Sequence, residues 1–234
     1  MHAHRLLPPA LILTLALIAC SDQSAPPPAP AQPAANTQAA KSLEMYRQLL
    51  QSESYELAGP IGQEIVARYP GTPEANEVEQ TLADTVAKGT AISTRRRLER
   101  LWIYQSGRES GGNQTTASIY SSQPVGSDRV RLILRRHSDW GQSVYLFGSG
   151  KGFECRKPCT VNVTFDEKPE RMKAYLPETG EPAIFVSDDG AFIAKMSKAQ
   201  KVGFDLELKG KGKQTYVFET GGYDPEKFGT PGKK

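Results

Sequence analysis

Histidine is nearly missing from this chain. Of 234 residues only His2, His4 and His137 are histidine, and only His137 lies beyond the apolar leader. Cysteine is as scarce, at Cys20, Cys155 and Cys159. A zinc site takes about four ligands, and a lone pair of nearby cysteines needs a second pair or histidines to complete it. His137 and both thiolates together would make only three, so no metal site is expected. A hydrolase triad needs a base that accepts the nucleophile's proton, usually histidine. His137, in "RRHSDWG", is the one candidate, with Ser138 and Asp139 beside it. Neighbours on a strand point to opposite faces, so this adjacency does not assemble a triad, and a solvent-facing or turn histidine is the plainer reading. Charge of one sign is also lacking. Lys+Arg number 29 against 26 Asp+Glu, a net of +3, which gives no electrostatic case for nucleic acid. No repeat of solenoid type recurs. Nor is there a phosphate loop: in "GSGKG" (Gly148 to Gly152) the motif would need Gly at Tyr145 and Ser or Thr at Gly152. That stretch reads as a glycine-rich turn. The carboxylate pairs Asp166-Glu167 and Asp188-Asp189 sit at expected turns, where capping explains them. No cofactor is implied, and no catalytic set emerges.

What is there begins with "MHAHRLLPPALILTLALIAC". A short polar start with Arg5 precedes an apolar run from Leu6 to Ala19, too short to span a bilayer, which takes about 20 apolar residues. It has the layout of a secretory signal. Its end, Leu17-Ile18-Ala19-Cys20, resembles a bacterial lipobox. The resemblance implies that Cys20 is acylated on sulfur and becomes the new N-terminus, a lipoprotein bearing palmitate-like chains. Each buried CH₂ contributes about 0.8 kcal/mol, so several chains hold a protein on a membrane. Ser21 follows; by resemblance to the sorting rule of enteric bacteria, a residue other than Asp there directs the protein to the outer membrane. The expected place is the outer membrane, folded part facing the periplasm.

"SDQSAPPPAPAQPAANTQAAK" comes next, rich in Pro and Ala and without apolar periodicity. Such a stretch buries too little surface to offset its ordering entropy. Extended at about 3.1 Å per residue, it would reach roughly 60 Å. Residues 20–40 therefore read as lipidated cysteine and tether. From 41 to 100 the spacing turns helical: Leu43, Tyr46, Leu49 and Leu50 make one stripe, and Leu57, Ile61, Ile65 and Tyr69 a second. Gly59-Pro60 should kink or split the second. "YPGTPEA" is a stop and restart, with Thr72 as cap, Pro73 in the first turn and Glu74 near the positive helix end. Ala75, Val78, Leu82 and Val86 mark the buried face of the third stretch. "IVARYPGTPEA" resembles the junction between tetratricopeptide-type helices of envelope lipoproteins, but it occurs once, so a small helical hairpin packed on the next domain is expected. "TRRRLER" places a basic cluster over Arg95–Arg100, either a solvated helix face or a contact for anionic lipid or cell wall.

From 101 to 224 the period is two. "RVRLILRR" turns Val130, Leu132 and Leu134 inward and Arg129, Arg131, Ile133 and Arg135 outward. Val161, Val163 and Phe165 face inward in "TVNVTFD", as do Val202, Phe204, Leu206 and Leu208 in "VGFDLELK". "TASIYSS", "SVYLF", "RMKAYL", "AIFVS" and "TYVFET" are further strands, separated by turn residues. "DDGAFIAKMSKAQ" should form one short helix with Phe192, Ile193 and Met196 on one face and Asp188 or Asp189 as cap. "KGKGK" is a hairpin tip. The fold class is thus α+β: a short N-terminal helical hairpin, then a mainly antiparallel β-sandwich or open barrel with one short helix. Residues 225–234 read as a polar tail. Trp102, Tyr104, Trp140 and Tyr145 are either core aromatics, the commoner case, or the lining of a glycan or peptide groove.

Cys155 and Cys159 remain once Cys20 carries lipid. A thioredoxin-type centre wants C-x-x-C at a helix N-terminus, whereas three residues intervene here and Cys159 opens a strand. An exported chain meets oxidising conditions, and strand ends around a Pro-containing turn bring two Cα atoms within bonding range. A disulfide fits better than metal or redox chemistry. "GFECRKPCTVNVTFD", "AIFVSDDGAFIAKMSKAQKVGFDLEL" and "QTYVFETGGYD" together resemble a β-domain of proteobacterial envelope proteins. They are similar to the periplasmic accessory proteins of type VI secretion and, more loosely, to the invasion-associated locus B family. The resemblance covers about residues 140 to 224 and implies no catalytic residues. The expected function is a non-catalytic, outer-membrane-anchored envelope lipoprotein, a binding or accessory module whose partners are the membrane, through lipid, and an envelope protein complex or the cell wall. An envelope hydrolase acting on glycan or peptide, and a secretion-system accessory, are the alternatives.

Overall fold

A computed structural model describes residues 32–229, apart from residue 157. The leader, the lipobox with Cys20 and the first part of the spacer lie outside the described residues. Three helices come first: α1 (Gln32–Gln51), α2 (Tyr55–Arg68) and α3 (Pro73–Glu99). The helical unit has one helix more than the expected hairpin. α1 begins inside the stretch read as tether, where alanines favour helix over extended chain, and Ala39 is fully buried. α2 is not split at Pro60. The proline sits in the second turn and removes a single backbone bond; Ala58 and Ile65 on either side of it pack into the helical core. Leu57, expected on that buried face, is 62% exposed. The face has turned toward Ala58 and Gly62, because a Cβ on Gly62 would stand 2.8 Å from both Leu82 Cδ1 and Tyr46 Cε2. At Thr72 the hydroxyl accepts from the Ala75 amide at 3.2 Å, the expected cap.

The sheet follows, with strands β1 (Ile103–Glu109), β2 (Gly112–Tyr120), β3 (Arg131–His137), β4 (Gly141–Phe147), β5 (Cys159–Phe165), β6 (Lys168–Tyr175), β7 (Ala183–Val186), β8 (Val202–Leu208) and β9 (Gly212–Phe218). They form one nine-stranded sheet in the order β1-β2-β3-β4-β7-β6-β5-β8-β9. All pairings are antiparallel. The sheet is not closed, yet it curls enough for Gln123, just past β2, to bridge Val217 on β9. The inward residues read from the alternation, Val130, Leu132, Leu134, Val161, Val163, Phe165, Val202, Phe204, Leu206 and Leu208, all join one core. α4 (Asp189–Met196) adds Phe192 and Met196 to it, capped by Asp188 accepting from the Ala191 amide at 2.9 Å.

Two elements were not expected. β1, "IYQSGRE", is an exposed edge strand and so carries no apolar alternation to read. α5 (Pro225–Phe228) lies in the stretch read as polar tail. Its Phe228 is fully buried in the main core, with the Arg136 guanidinium 4.3 Å from the ring. Arg136 also donates to the Gly229 carbonyl at 2.8 Å. A single aromatic among polar residues has no period and is invisible to pattern reading.

The helical unit has its own core of Leu43, Tyr46, Ala58, Ile65, Ala75 and Val78. It meets the sheet mainly through the end of α3, which packs on the 3-10 turn Thr220–Gly222. Gly222 is required there: a Cβ on it would fall 2.2 Å from the Leu98 carbonyl carbon. Of the basic cluster, Arg97 acts at this joint, and Arg95 and Arg96 pair inside the helical unit. Arg97 forks onto Glu219 at 3.0 and 2.8 Å, Arg96 pairs with Glu56 of α2 at 2.8 Å, and Arg95 pairs with Glu99 at 2.9 Å.

Candidate functional site on the outer face of the sheet

The residues weighed for chemistry turn out to hold the scaffold. His137 is buried, and its Nδ1 accepts the amides of Asp139 at 3.1 Å and Trp140 at 3.3 Å. The ring hydrogen is therefore on Nε2, which donates to the Glu109 carbonyl at 2.9 Å. The imidazole staples the β3–β4 turn to β1, and neither nitrogen faces a hydroxyl. The Asp166 carboxylate accepts the amides of Gln200 and Lys201, each at 2.8 Å. Gly148–Gly152 forms a turn with no helix behind it. Among the described residues no group of three or more His, Cys, Asp or Glu side chains is placed to hold a metal ion. No helix among them is long and apolar enough to cross a membrane.

Cys155 and Cys159 stand at disulfide distance, Cα–Cα 5.4 Å. Cys159 opens β5 opposite Ala174 of β6, and both cysteines pack on the main core. The pair pins the entry to β5.

The four aromatics divided by the sequence reading go two ways. Trp102 is 5% exposed and belongs to the core, with Tyr104 and Tyr223 rings 6.3 and 5.1 Å away. Trp140 is 51% exposed, and Tyr145 points outward from β4. The sheet register explains what surrounds them. Ile133, Tyr145, Phe185 and Tyr175 are successive cross-strand partners on β3, β4, β7 and β6, so their side chains share one face. On that face the rings of Tyr145 and Phe185 stack at 4.8 Å, and those of Phe185 and Tyr175 at 5.4 Å. Arg135, two residues from Ile133 on the same face, lies between Tyr145 and Trp140, 5.4 and 5.1 Å from their ring centres. Trp140 in turn stacks on His137 at 3.8 Å and 11°. The result is one continuous column: His137, Trp140, Arg135, Tyr145, Phe185, Tyr175.

A cleft of about 340 Å³ opens beside the column, walled by Arg135, Tyr145, Phe147, Ala183 and Phe185 and closed at one side by Pro177, Thr179 and Glu181. Thr179 donates its hydroxyl to the Glu181 carboxylate, which holds that carboxyl below its ordinary value. Burial raises the Tyr145 phenol, and the Arg135 and Arg131 charges pull it back. Further along the same face Arg129 and Arg131 flank the ring of Tyr120 at 5.1 and 5.8 Å. Of the large apolar side chains that stand exposed among the described residues, Ile103, Tyr120, Trp140, Phe147 and Tyr175 belong to this face; Met45, Leu57 and Val125 are the others. The solvated face of an antiparallel sheet is commonly polar, and this one instead gathers large apolar side chains.

Sequence reading found Trp140 and Tyr145 but missed Arg135, Phe147, Tyr175 and Phe185. The available signal was outward positions filled by aromatics, as in Tyr145 and Phe147 two apart on one strand. Compared with models of protein families, with curated proteins and with solved structures, the chain matches none.

Proposed function

We propose that this chain is a non-catalytic envelope lipoprotein, anchored through Cys20 in the outer membrane. On this reading it serves as a binding or accessory module for an envelope protein complex or the cell wall through the outer face of its sheet. One observation carries the binding role: the aromatic and guanidinium column, with Trp140 and Tyr175 exposed, beside a cleft on a sheet face that is commonly polar. The anchor rests on the lipobox-like end of the leader. The non-catalytic reading is supported by the use of His137, Asp166 and Asp188 as staples and caps. Trp, Tyr and Arg are the side chains that most often carry binding energy at protein surfaces, and Arg135 is held between two rings before any ligand arrives, which lowers the ordering cost of binding.

Two measurements test the proposal. Cys20→Ala should release the protein from membranes and abolish incorporation of labelled palmitate; membrane retention without label contradicts the anchor. A photo-reactive residue replacing Phe147 should cross-link the chain to an envelope component in living cells. Absence of any adduct, while the same probe at Leu57 behaves identically, contradicts a binding role for this face.

A further inference from the structure

We propose that the outer-face cleft recognises an acidic stretch of polypeptide, in which a carboxylate side chain lies next to an aromatic or branched aliphatic one. The inference rests on the outer face being the binding surface and adds the chemistry of its ligand.

Charge comes first. Arg129, Arg131 and Arg135 stand on or beside this face, and none of the ion pairs among the described residues involves them. Their protein partners are neutral oxygens. Arg129 Nε donates to the Ser121 carbonyl at 2.7 Å, Arg131 Nη2 to Ser118 Oγ at 2.8 Å and Arg135 Nε to Ser143 Oγ at 3.2 Å. A guanidinium has five N–H donors, so each has donors to spare. By contrast Arg95, Arg96 and Arg97 are all matched with glutamates. Three guanidiniums are thus gathered on one side of the sheet with neutral oxygens as their hydrogen-bond partners.

Ring orientation points the same way. Tyr145, Phe185 and Tyr175 stack with planes 24° and 21° apart across neighbouring strands. Where two rings stack, the faces they turn to each other are covered and their edges stay open. An aromatic edge is the positive part of its quadrupole, so edges and guanidiniums together favour anionic oxygen. The same geometry disfavours sugar, whose apolar face needs the flat of a ring. The apolar walls, Phe147, Ala183 and Phe185, supply room for a neighbouring hydrophobic side chain, and a cleft of about 340 Å³ is of side-chain size. Glu181 is the one carboxylate among the lining residues and is turned onto Thr179, and Glu109, whose charge reaches Tyr145, does not line the cleft, which leaves Arg135 to the ligand.

The test uses the full chain purified in mild detergent and an array of random decapeptides blocked at both ends, so that no terminal carboxylate competes. Retained peptides should be enriched in Asp or Glu beside Phe, Tyr, Leu, Ile or Val. Binding of a retained peptide in solution is followed through Trp140, the exposed tryptophan. Changing its acid to the amide, which leaves the protein untouched, should weaken binding about tenfold or more, as loss of a charge-assisted contact does. Arg135→Lys, which keeps charge but not the planar stack, should weaken it comparably, while Arg47→Lys in the helical unit should leave it unchanged. Retention without acidic bias, an amide peptide that binds as well as the acid, or equal binding by Arg135→Lys overturns the proposal. So does binding to a polyuronate glycan or to phosphatidylglycerol vesicles in place of peptides, although the face then stands as a binding surface. If every probe fails and the Phe147 cross-linker also finds nothing in cells, the binding reading falls with it.

Discussion

His137 shows how a residue type that suggests catalysis can be consumed by architecture. Its ring receives two turn amides, reaches back to the Glu109 carbonyl and supports the indole of Trp140. Replacing it by alanine leaves those backbone groups without partners in a buried setting, which costs about 2–3 kcal/mol. His137→Ala should therefore lower the urea midpoint and shift the fluorescence of Trp140 together. The cysteine pair sits at the same scale. Its loop is short, so the chain-entropy model gives a contribution of roughly 2 kcal/mol, and Cys159→Ser or reduction should destabilise the protein by about that amount. Thiol titration of the denatured, unreduced protein should find neither Cys155 nor Cys159 free. The pairing of the two cysteines was legible in the sequence because their close spacing around a Pro-containing turn brings the Cα atoms within bonding range. The role of His137 was not, since its partner Glu109 is 28 residues away on a strand with no readable pattern.

Among elements, the junction of α3 with the Thr220–Gly222 turn carries the largest consequence. Leu98 is buried there, and the Gly222 backbone lies so close to Leu98 and Glu99 that a Cβ would overlap both residues. Gly222→Ala must push the turn from the helix, at a cost of about 1–3 kcal/mol. The expected result is a lower melting temperature and faster proteolysis between the helical unit and the sheet; an unchanged protein would show that this contact does not hold the two together. Strand identities with apolar alternation were legible here, from β2 to β9, because each presents one face to a core. β1 and α5 were not. One lies at an edge with little to bury, and the other contributes a single buried side chain, Phe228.

For the molecule as a whole, two cores are joined over a small area, and an ion pair spans the joint. Arg97, through its hydrogen bonds first, holds the Glu219 carboxyl below its ordinary value of 4.5, with burial opposing. A depressed folded-state value means stability present in full above about pH 4.5 and lost as pH falls through the lower folded value. Acidification should therefore loosen the helical unit from the sheet, seen as amide exchange rising in α3 before the strands. Arg97→Gln should flatten that dependence. The Arg97 side chain is 51% exposed and that of Glu219 22%, so solvent reaches the pair and salt should weaken the effect as well.

By itself the sequence determined which residues face a core, where helices give way to strands, and that two cysteines close a short loop. These follow from local period and spacing, which are properties of neighbours in the chain. Tertiary structure alone decided the surface proposed for binding. Arg135, Trp140, Tyr145, Phe185 and Tyr175 come from β3, its turn, β4, β7 and β6, and only the strand order β3-β4-β7-β6 sets them side by side. Register converts separate outward side chains into one stacked column, and register between distant strands is fixed by the packing of the whole sheet rather than by any segment of it.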